Sequence, residues 1–562
     1  MDYKKQIAAL IKIEGVTAQD IEELITKPKE VSNGDYCLPC FRFSKSLRKS
    51  PMAIADELLQ NIQIGGIIER VESVAGYLNF KLNREQYNCQ ILEKVLTDGE
   101  NYGRSDIGRG KTICIDYSSI NIAKPFHMGH LSTTVIGAAL YRLYNFLGYK
   151  SIGINHLGDW GTQFGKLIVA YKLWGNKEDI EKRGVAALLE IYVKFHKEAE
   201  SDSSLDEQAR YWFKQIEDGN VEATALFKWF KEITLTEVDK IYKRLKIQFD
   251  SYNGESFYND KMQPVIDELE EKGLLQTSEG ARVVNLDDYK MPPCLIVKAD
   301  GATLYATRDL AAAFYRKKTY NFYKSLYVVA YQQNLHFKQL FKVIELMDYD
   351  WYKDLEHVAF GMVSMEDGSP IKTREGKVIL LEDVLNKTVE RAYEILTLKS
   401  DSLENKSEVA EMVGTGAVIF SALYNSRIKD IVFSYDRVLS FEGETGPYTQ
   451  YTYARCGSVL RKEEITEVCD YSALNNVEAN DVIDALAKFP SILLDAADRY
   501  EPSYIARAVM DIAQAYNKFY FAHRIIDAPE AARNVSLKLT KAVKQVIAEG
   551  LGLLGIEVPE KM

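Results

Sequence analysis

The sequence predicts an α/β, Rossmann-type nucleotide-binding domain, preceded by an α+β segment and followed by an all-α domain. Three observations carry this. A strand-like run, Thr112-Ile-Cys-Ile-Asp-Tyr117, passes through Asn121-Ile-Ala-Lys-Pro-Phe-His-Met-Gly-His-Leu131 into a helix-like run ending near Leu147, and a second strand-like piece covers Lys150 to Asn155. That is a β-α-β unit with His-Met-Gly-His at its strand-to-helix turn. Before it, helix-like runs (Asp2–Ile13, Pro51–Ile62) alternate with strand-like ones (Tyr36–Phe43, Ile67–Val74, Tyr77–Leu82). After about Glu404 the pattern is helical; Val509, Ile512, Tyr516, Phe519, Tyr520 and His523 share one stripe in Arg507–Ile525.

A chain of 562 residues is too long for one core, and 46% hydrophobic with 27% charged residues excludes extensive disorder. No apolar run reaches spanning length and the first residues have no signal-peptide core, so neither membrane nor export is expected. Seven scattered cysteines suit reduced thiols in a cytoplasm; Cys37-Leu-Pro-Cys40 has no second pair to complete a zinc site and reads as packing. A net charge of −11 argues mildly against nucleic acid, so an RNA partner requires local basic patches such as Arg42, Lys45, Arg48 and Lys49.

At the His-Met-Gly-His turn a helix N-terminus offers unpaired N–H groups and partial positive charge, which suits phosphate. Gly129 lets backbone approach a nucleotide, and His127 and His130 supply donors to phosphate oxygens. Two other readings stay open on local grounds: a metal pair, although no third ligand stands at metal spacing, and two structural histidines.

Ser-Ser-Ile-Asn-Ile-Ala-Lys-Pro-Phe-His-Met-Gly-His-Leu resembles the signature of class I aminoacyl-tRNA synthetases, and of the arginyl-tRNA synthetase family in particular. Gly158-Asp-Trp-Gly161, Tyr305-Ala-Thr-Arg-Asp309 and Gly446-Pro-Tyr-Thr-Gln-Tyr451 follow in the family's order. The resemblance implies a segment 1–108 that contacts the outer corner of tRNA, a catalytic domain 109–400 with a connective insertion at about 166–290, and an anticodon-binding domain 401–562. It implies an arginine–tRNA ligase that takes L-arginine, ATP with Mg²⁺ and tRNA(Arg), holds no metal of its own, acts as a monomer and needs bound tRNA to activate arginine. Rival readings are another nucleotidyltransferase with the same turn, against which the carboxylate-rich pocket and anticodon-type domain count, and a non-catalytic RNA-binding paralogue, against which the retained His127, Gly129, His130, Tyr305 and Asp309 count.

Taken in order, the elements receive these expectations. In Ala75-Gly-Tyr-Leu-Asn-Phe80, Tyr77 stacks on an unpaired base of the D-loop and Asn79 bonds its edge; an ordinary pair of sheet residues is the other reading. The resemblance implies that Asp116, Ser119, Asn121, His127 and Gln333 hold the amino-acid end of arginine. His127 and His130, with Gly129 between them, take ATP, and Lys124 sits beside the triphosphate. The resemblance implies that Glu255, in the turn Phe249–Tyr258, and Asp309 take the guanidinium, with Tyr305 as a wall; on local grounds a solvated turn residue and a helix-dipole partner are the other readings. Cys294–Val297 reads as a buried strand, Asp300-Gly301 as a hairpin turn, Thr303–Ala306 as the returning strand, and Thr307 as N-cap of a helix from Arg308 to Tyr315. Further strands are expected at Leu326–Ala330 and His357–Val363. The loop Glu366–Lys377 stands in the place of the class I lysine-rich loop, with Lys372 and Arg374 as its cations. Gln450 and Arg455 are expected to contact the anticodon arm.

Overall fold

The structure is a computed structural model that describes residues 3–299, 301, 305–365, 379–399 and 403–562. The chain forms two compact units: Met1–Tyr102 with Arg455–Phe489 and Asp511–Val546, and Gly103–Ala454 with Pro490–Met510 and Ile547–Met562.

In the first unit β1 (Tyr36–Pro39), β2 (Ile68–Val74) and β3 (Tyr77–Leu82) form an antiparallel sheet with β3 central. Hydrophobic residues on alternate positions, such as Leu78, Phe80 and Leu82, are buried. The helix Pro51–Asn61 packs on this sheet; proline opens it and the Ser50 hydroxyl accepts from Ala53 N–H at 3.2 Å. Strand β1 stops at Pro39, and Cys40–Phe43 turn into a 3₁₀ helix instead of the strand expected to Phe43. Both cysteines of Cys37–Cys40 are buried and free, and burial pushes the Cys40 thiol up to about 11. Arg84 ties the sheet side to the helices by pairing with Asp35 and, at 2.9 Å, with Asp484.

The second unit is built on the parallel sheet that positions the site. Strand β4 (Thr112–Asp116) is followed by a 3₁₀ turn, Met128–His130, and the helix Leu131–Phe146, then β5 (Lys150–Ile154). Five helices follow, the last being Val221–Arg244, in the segment expected to be helical. Strands β6 (Leu275–Ser278), β7 (Ala281–Val284) and β8 (Cys294–Val297) then form an antiparallel sheet. Its hairpin carries Glu279 and Gly280 at φ +50° and +82°, the left-handed pair of a tight two-residue turn. Strand β8 therefore pairs with β7 rather than entering the parallel sheet.

The parallel sheet resumes with β9 (Lys324–Tyr327) and β10 (Leu355–His357), giving the order β10-β9-β4-β5. The chain moves outward one way from β4 to β5 and the other way from β9 to β10. The crevice at the carboxyl ends of β4 and β9 is thus a topological switch point, where open α/β sheets bind ligands. The expected strand His357–Val363 is two pieces, because β11 (Val363–Met365) leaves the sheet and pairs with β12 (Ile431–Phe433). The expected strand Leu326–Ala330 lies two residues earlier, at its start, as β9.

A long helix runs from Tyr305 to Tyr320, so Tyr305 and Ala306 open a helix and do not close a strand. Thr307 lies inside it, fully buried, and donates to the Ile296 carbonyl at 2.5 Å; it anchors the helix to β8 instead of capping it. Asp300, Thr303 and Leu304, expected in the hairpin and returning strand, lie outside the described residues. The C-terminal helices are Lys406–Tyr424, Gly446–Leu460, Val477–Asp498, Ser503–Ala522 and Glu530–Leu554, and Val509, Ile512, Tyr516 and Phe519 are buried as the stripe requires. Among the described residues no helix is long and apolar enough to cross a membrane.

Candidate active site

The site begins where β4 ends. Asp116 accepts from the Ser119 hydroxyl at 2.7 Å, and Ser118 and Ser119 take positive φ values of +68° and +46°. Two left-handed residues in succession turn the chain sharply out of the strand, at a strain characteristic of ligand sites. Asn121 forms a bridge with Gly158; a Cβ on Gly158 would lie 2.3 Å from Asn121 Oδ1, so this approach requires glycine.

The His-Met-Gly-His turn is held by its own histidines. Gly129 N–H donates to His127 Nδ1 at 3.0 Å, and His127 N–H donates to His130 Nδ1 at 3.2 Å. An imidazole nitrogen that accepts bears no proton, so each neutral ring carries its proton on Nε2. The rings lie 3.9 Å apart between centroids. A Cβ on Gly129 would come within 2.8 Å of the His127 ring, so glycine here makes room for the histidine. The chain returns to this turn after the cationic loop: Met128 N–H donates to Ile379 O at 3.0 Å and Leu381 N–H to Phe126 O at 3.0 Å. Lys372 and Arg374 lie outside the described residues. Lys124 is exposed, three residues before His127.

The carboxylate pair lies across the crevice. Glu255 opens a 3₁₀ helix and is fixed from the loop after β5: its N–H donates to Leu157 O at 2.9 Å. Asp159, fully buried, receives Ser256 N–H at 2.8 Å, the Ser256 hydroxyl at 2.9 Å and Lys231 Nζ at 2.6 Å. Gly254 is needed because a Cβ would stand 2.6 Å from both Asp159 Oδ1 and Leu157 O. Arg308 Nη1 lies 3.8 Å from Glu255 Oε2. Burial raises the Glu255 carboxyl to about 7; Arg308 pulls it down, and the charges of Asp309 and Asp159 push it further up.

Asp309 stands in the second turn of its helix. His336 Nε2 meets its Oδ2 at 2.7 Å and His156 Nε2 lies 3.8 Å from its Oδ1. Burial opposes the charge of Asp309, but the hydrogen bond from His336, with His156 and Arg316 close by, holds the carboxyl below its ordinary value. The two acids thus differ: at neutral pH Asp309 is ionised while Glu255 is poised. Two acceptors a helix and a turn apart, with adjustable charge, suit a planar, permanently charged guanidinium.

The catalytic-domain model for class I tRNA synthetases of the arginine (R) type matches residues 91–435. The chain belongs to the arginyl-tRNA synthetase family. The family's N-terminal domain matches residues 1–82 and the DALR anticodon-binding domain residues 449–562. Curated arginine–tRNA ligases from Alkaliphilus metalliredigens and Halothermothrix orenii are 53% and 51% identical over the full length of both chains. The arginyl-tRNA synthetase structure from Thermus thermophilus superposes with a TM-score of 0.81 at 25% identity, covering 96% of each chain. The Plasmodium falciparum enzyme shares the fold, with a TM-score of 0.80 at 23% identity over 100% of this chain and 98% of its own.

Of the expected site residues, Asp116 and Ser119 meet at the end of β4, His127 and His130 lie ring to ring in the turn that follows, and the charge of Asp309 acts on Glu255. Gln333 is exposed, three residues before His336. Tyr305 is 67% exposed, one helical turn before Asp309. Two expected RNA contacts are corrected. Asn79 is buried at 4% exposure in the central strand of its sheet. Gln450 is wholly buried and its amide donates to the Met412 and Glu557 carbonyls at 3.0 and 2.7 Å, so it braces helices. Tyr77 is exposed, edge-on to the exposed Phe41 at 5.2 Å. Arg455 is half-buried, pairs with Asn517 and lies over the Tyr520 and Phe521 rings, each at 5.0 Å.

The sequence reading missed His156, Asp159, Arg308, Arg316 and His336. His156 and Asp159 stood in a string noticed only for its glycines, and His336 closed the string that gave Gln333. Arg316, in mid-helix, left no local signal.

Proposed function

We propose that this protein activates L-arginine with ATP and transfers it to tRNA(Arg), releasing pyrophosphate and then AMP. The observation that carries the reading is the link from Asp116, at the end of β4, through Arg316 and His156 to Asp309, whose charge acts on Glu255. The arginine carboxylate oxygen attacks the α-phosphorus of ATP; that bond forms as the bond to pyrophosphate breaks. A ribose hydroxyl of the tRNA's terminal adenosine then attacks the carbonyl carbon, and AMP leaves.

Neither step needs an enzyme nucleophile, so the protein's work is placement and charge stabilisation. The Nε2–H groups of His127 and His130 serve ATP oxygens at the turn. Lys124, Lys372 and Arg374 share the negative charge that develops on the triphosphate. Asp116, Ser119, Asn121, His127 and Gln333 orient the amino-acid end, with Asp309 and Glu255 on the guanidinium. Lysine, which lacks the fork of donors, leaves buried acceptors unpaired and is rejected. Mg²⁺ enters with ATP and shares the neutralisation of its phosphate charge.

The segment around Tyr77, with Arg42, Lys45 and Arg48, is assigned to the tRNA corner, the catalytic segment to about 109–400 and Arg455 to the anticodon arm. The deciding experiment is aminoacylation of total tRNA with each amino acid in turn. Charging with arginine alone is expected; charging with another amino acid, or with none, sinks the reading.

A further inference from the structure

The guanidinium that the structure itself buries beside this pocket is that of Arg316. Its side chain is 1% exposed, so no substrate reaches it. Its Nη2 donates to Asp116 Oδ2 at 2.7 Å and lies 3.3 Å from His156 Nδ1. Nη2 carries two hydrogens, enough for both. Its Nε and Nη1, equally buried, have no hydrogen-bond partner among the described residues. Here the donor atom with partners serves one acid of the amino-acid end, Asp116, and one histidine that faces the acid of the guanidinium end, Asp309.

A guanidinium cannot accept a hydrogen bond. His156 Nδ1 must therefore accept, and the proton of the neutral ring must sit on Nε2, the nitrogen that faces Asp309 Oδ1 at 3.8 Å. We propose that Arg316 is a positioning residue for arginine selection: through one nitrogen it orients Asp116 and locks His156 in the neutral, Nε2-protonated form that leaves the charge of Asp309 available to the substrate. A charged His156 would neutralise Asp309 and repel the incoming guanidinium.

The surroundings agree. His156 is faced by Asp116, Arg316, Asp309 and Asp159, with the Tyr258 ring 5.5 Å away. Burial, with Arg316 adding to it, holds its pKa below the ordinary histidine value against the pull of the three carboxylates. On the other side of Asp309, His336 makes the close hydrogen bond, so the two histidines are not equivalent: one bonds the acid and the other stands near it with a fixed proton.

The inference rests on the arginine reading of the pocket, but its first test does not. In protein labelled with ¹⁵N-histidine, the His156 ring, assigned by its loss in His156→Gln, is expected to be neutral with its proton on Nε2 at pH 7. In Arg316→Met, Asp116 and Asp309 lose their shared cation, and His156 is expected to be protonated on both nitrogens at pH 7. A parent ring that is charged or protonated on Nδ1, or a variant ring unchanged from the parent, overturns the proposal whatever the substrate. If Arg316→Met does not fold, two His156 variants decide. Glutamine places its amide near the Nε2 position, where it can donate; the shorter asparagine places its amide near Nδ1 and leaves no donor at Nε2. The arginine KM of His156→Asn is expected to exceed that of His156→Gln at least tenfold, with their ATP KM values within about twofold. Equal arginine KM values mark His156 as merely structural and overturn the role of Arg316.

Discussion

The guanidinium pocket and the Phe41–Tyr77 face of the N-terminal sheet are both read here as recognition surfaces, yet they are built on opposite principles. The pocket is largely buried, and its acids have polar partners: Asp116 has Arg316, Asp309 has His336, and Glu255 has Arg308. The face is exposed, with Phe41 and Tyr77 at 49% and 38%, and Arg42, Lys45 and Arg48 near it in sequence form no ion pair among the described residues. In the pocket, protonation sets affinity, because low-dielectric pairs are poorly screened by salt but respond to any change of charge. At the face, salt sets affinity, because exposed cations act through released counterions. A net charge of −11 therefore says little about either site.

The largest effect is expected from cutting the pocket. Asp309→Ala should raise the arginine KM by roughly 30- to 4,000-fold, the equivalent of about 2–5 kcal/mol for truncating one partner of a buried charged contact, while the KM for tRNA stays near the parent's. An unchanged arginine KM would place the substrate's guanidinium elsewhere.

Next comes the aromatic of the face. Tyr77→Ala should weaken tRNA binding by roughly 5- to 150-fold, the scale of about 1–3 kcal/mol for one stacked base, and leave arginine binding alone. A gel-shift or filter-binding titration that returns the parent's affinity would reduce Tyr77 to a sheet residue.

The third test is pH. The Glu255 carboxyl, ordinarily 4.5, is raised to about 7, so the empty pocket is partly protonated at neutral pH. A guanidinium favours the ionised form, so binding expels a proton, and affinity rises with pH through about 7 and levels off above it. Between pH 6 and 8 the arginine dissociation constant should fall by about tenfold, with calorimetric proton release largest at the lower end. Glu255→Gln should flatten that dependence, and tRNA affinity should show no matching step. A pH-independent arginine affinity in the parent would assign the pocket's charge to Asp309 alone.

The smallest effect sharpens the other side. tRNA affinity should fall linearly with salt on logarithmic axes, and replacing Arg42, Lys45 and Arg48 by alanine should reduce the slope by about 0.7–0.9 for each cation that touches a phosphate. Arginine affinity should barely respond to the same salt series. An unaltered slope would move the RNA contact off this segment.

How much could be read in advance follows the same division. The His127–His130 turn is made of contacts two and three residues apart, between a strand and a helix that each declare themselves by pattern, and it was legible. So were β3 to the residue and the helix stripe through Tyr516, whose periods are local. The pocket joins residues 116, 156, 255, 309, 316 and 336, and only the family resemblance brought Glu255 and Asp309 together beforehand. His156 and Arg316 became visible only when distant elements met. Tyr305 and Ala306 were misread for a related reason: a turn-like Asp-Gly pair suggests a hairpin, whereas Thr307 finds its partner in Ile296 and Tyr305 and Ala306 are helical. Asn79 and Gln450 failed differently, since residue type marks a polar side chain but not the side of the sheet or helix on which it is spent.

Arg316 carries one consequence beyond its own pocket. It is an arginine inside a machine that issues arginine to the ribosome, so each new copy of the protein receives this side chain from charging done by older copies. A wrong residue delivered at this one codon loosens the selection that should have prevented it, and the fault is inherited by the next round of translation. The fidelity of the enzyme thereby closes on itself at the buried arginines of its own pocket, Arg316 and Arg308.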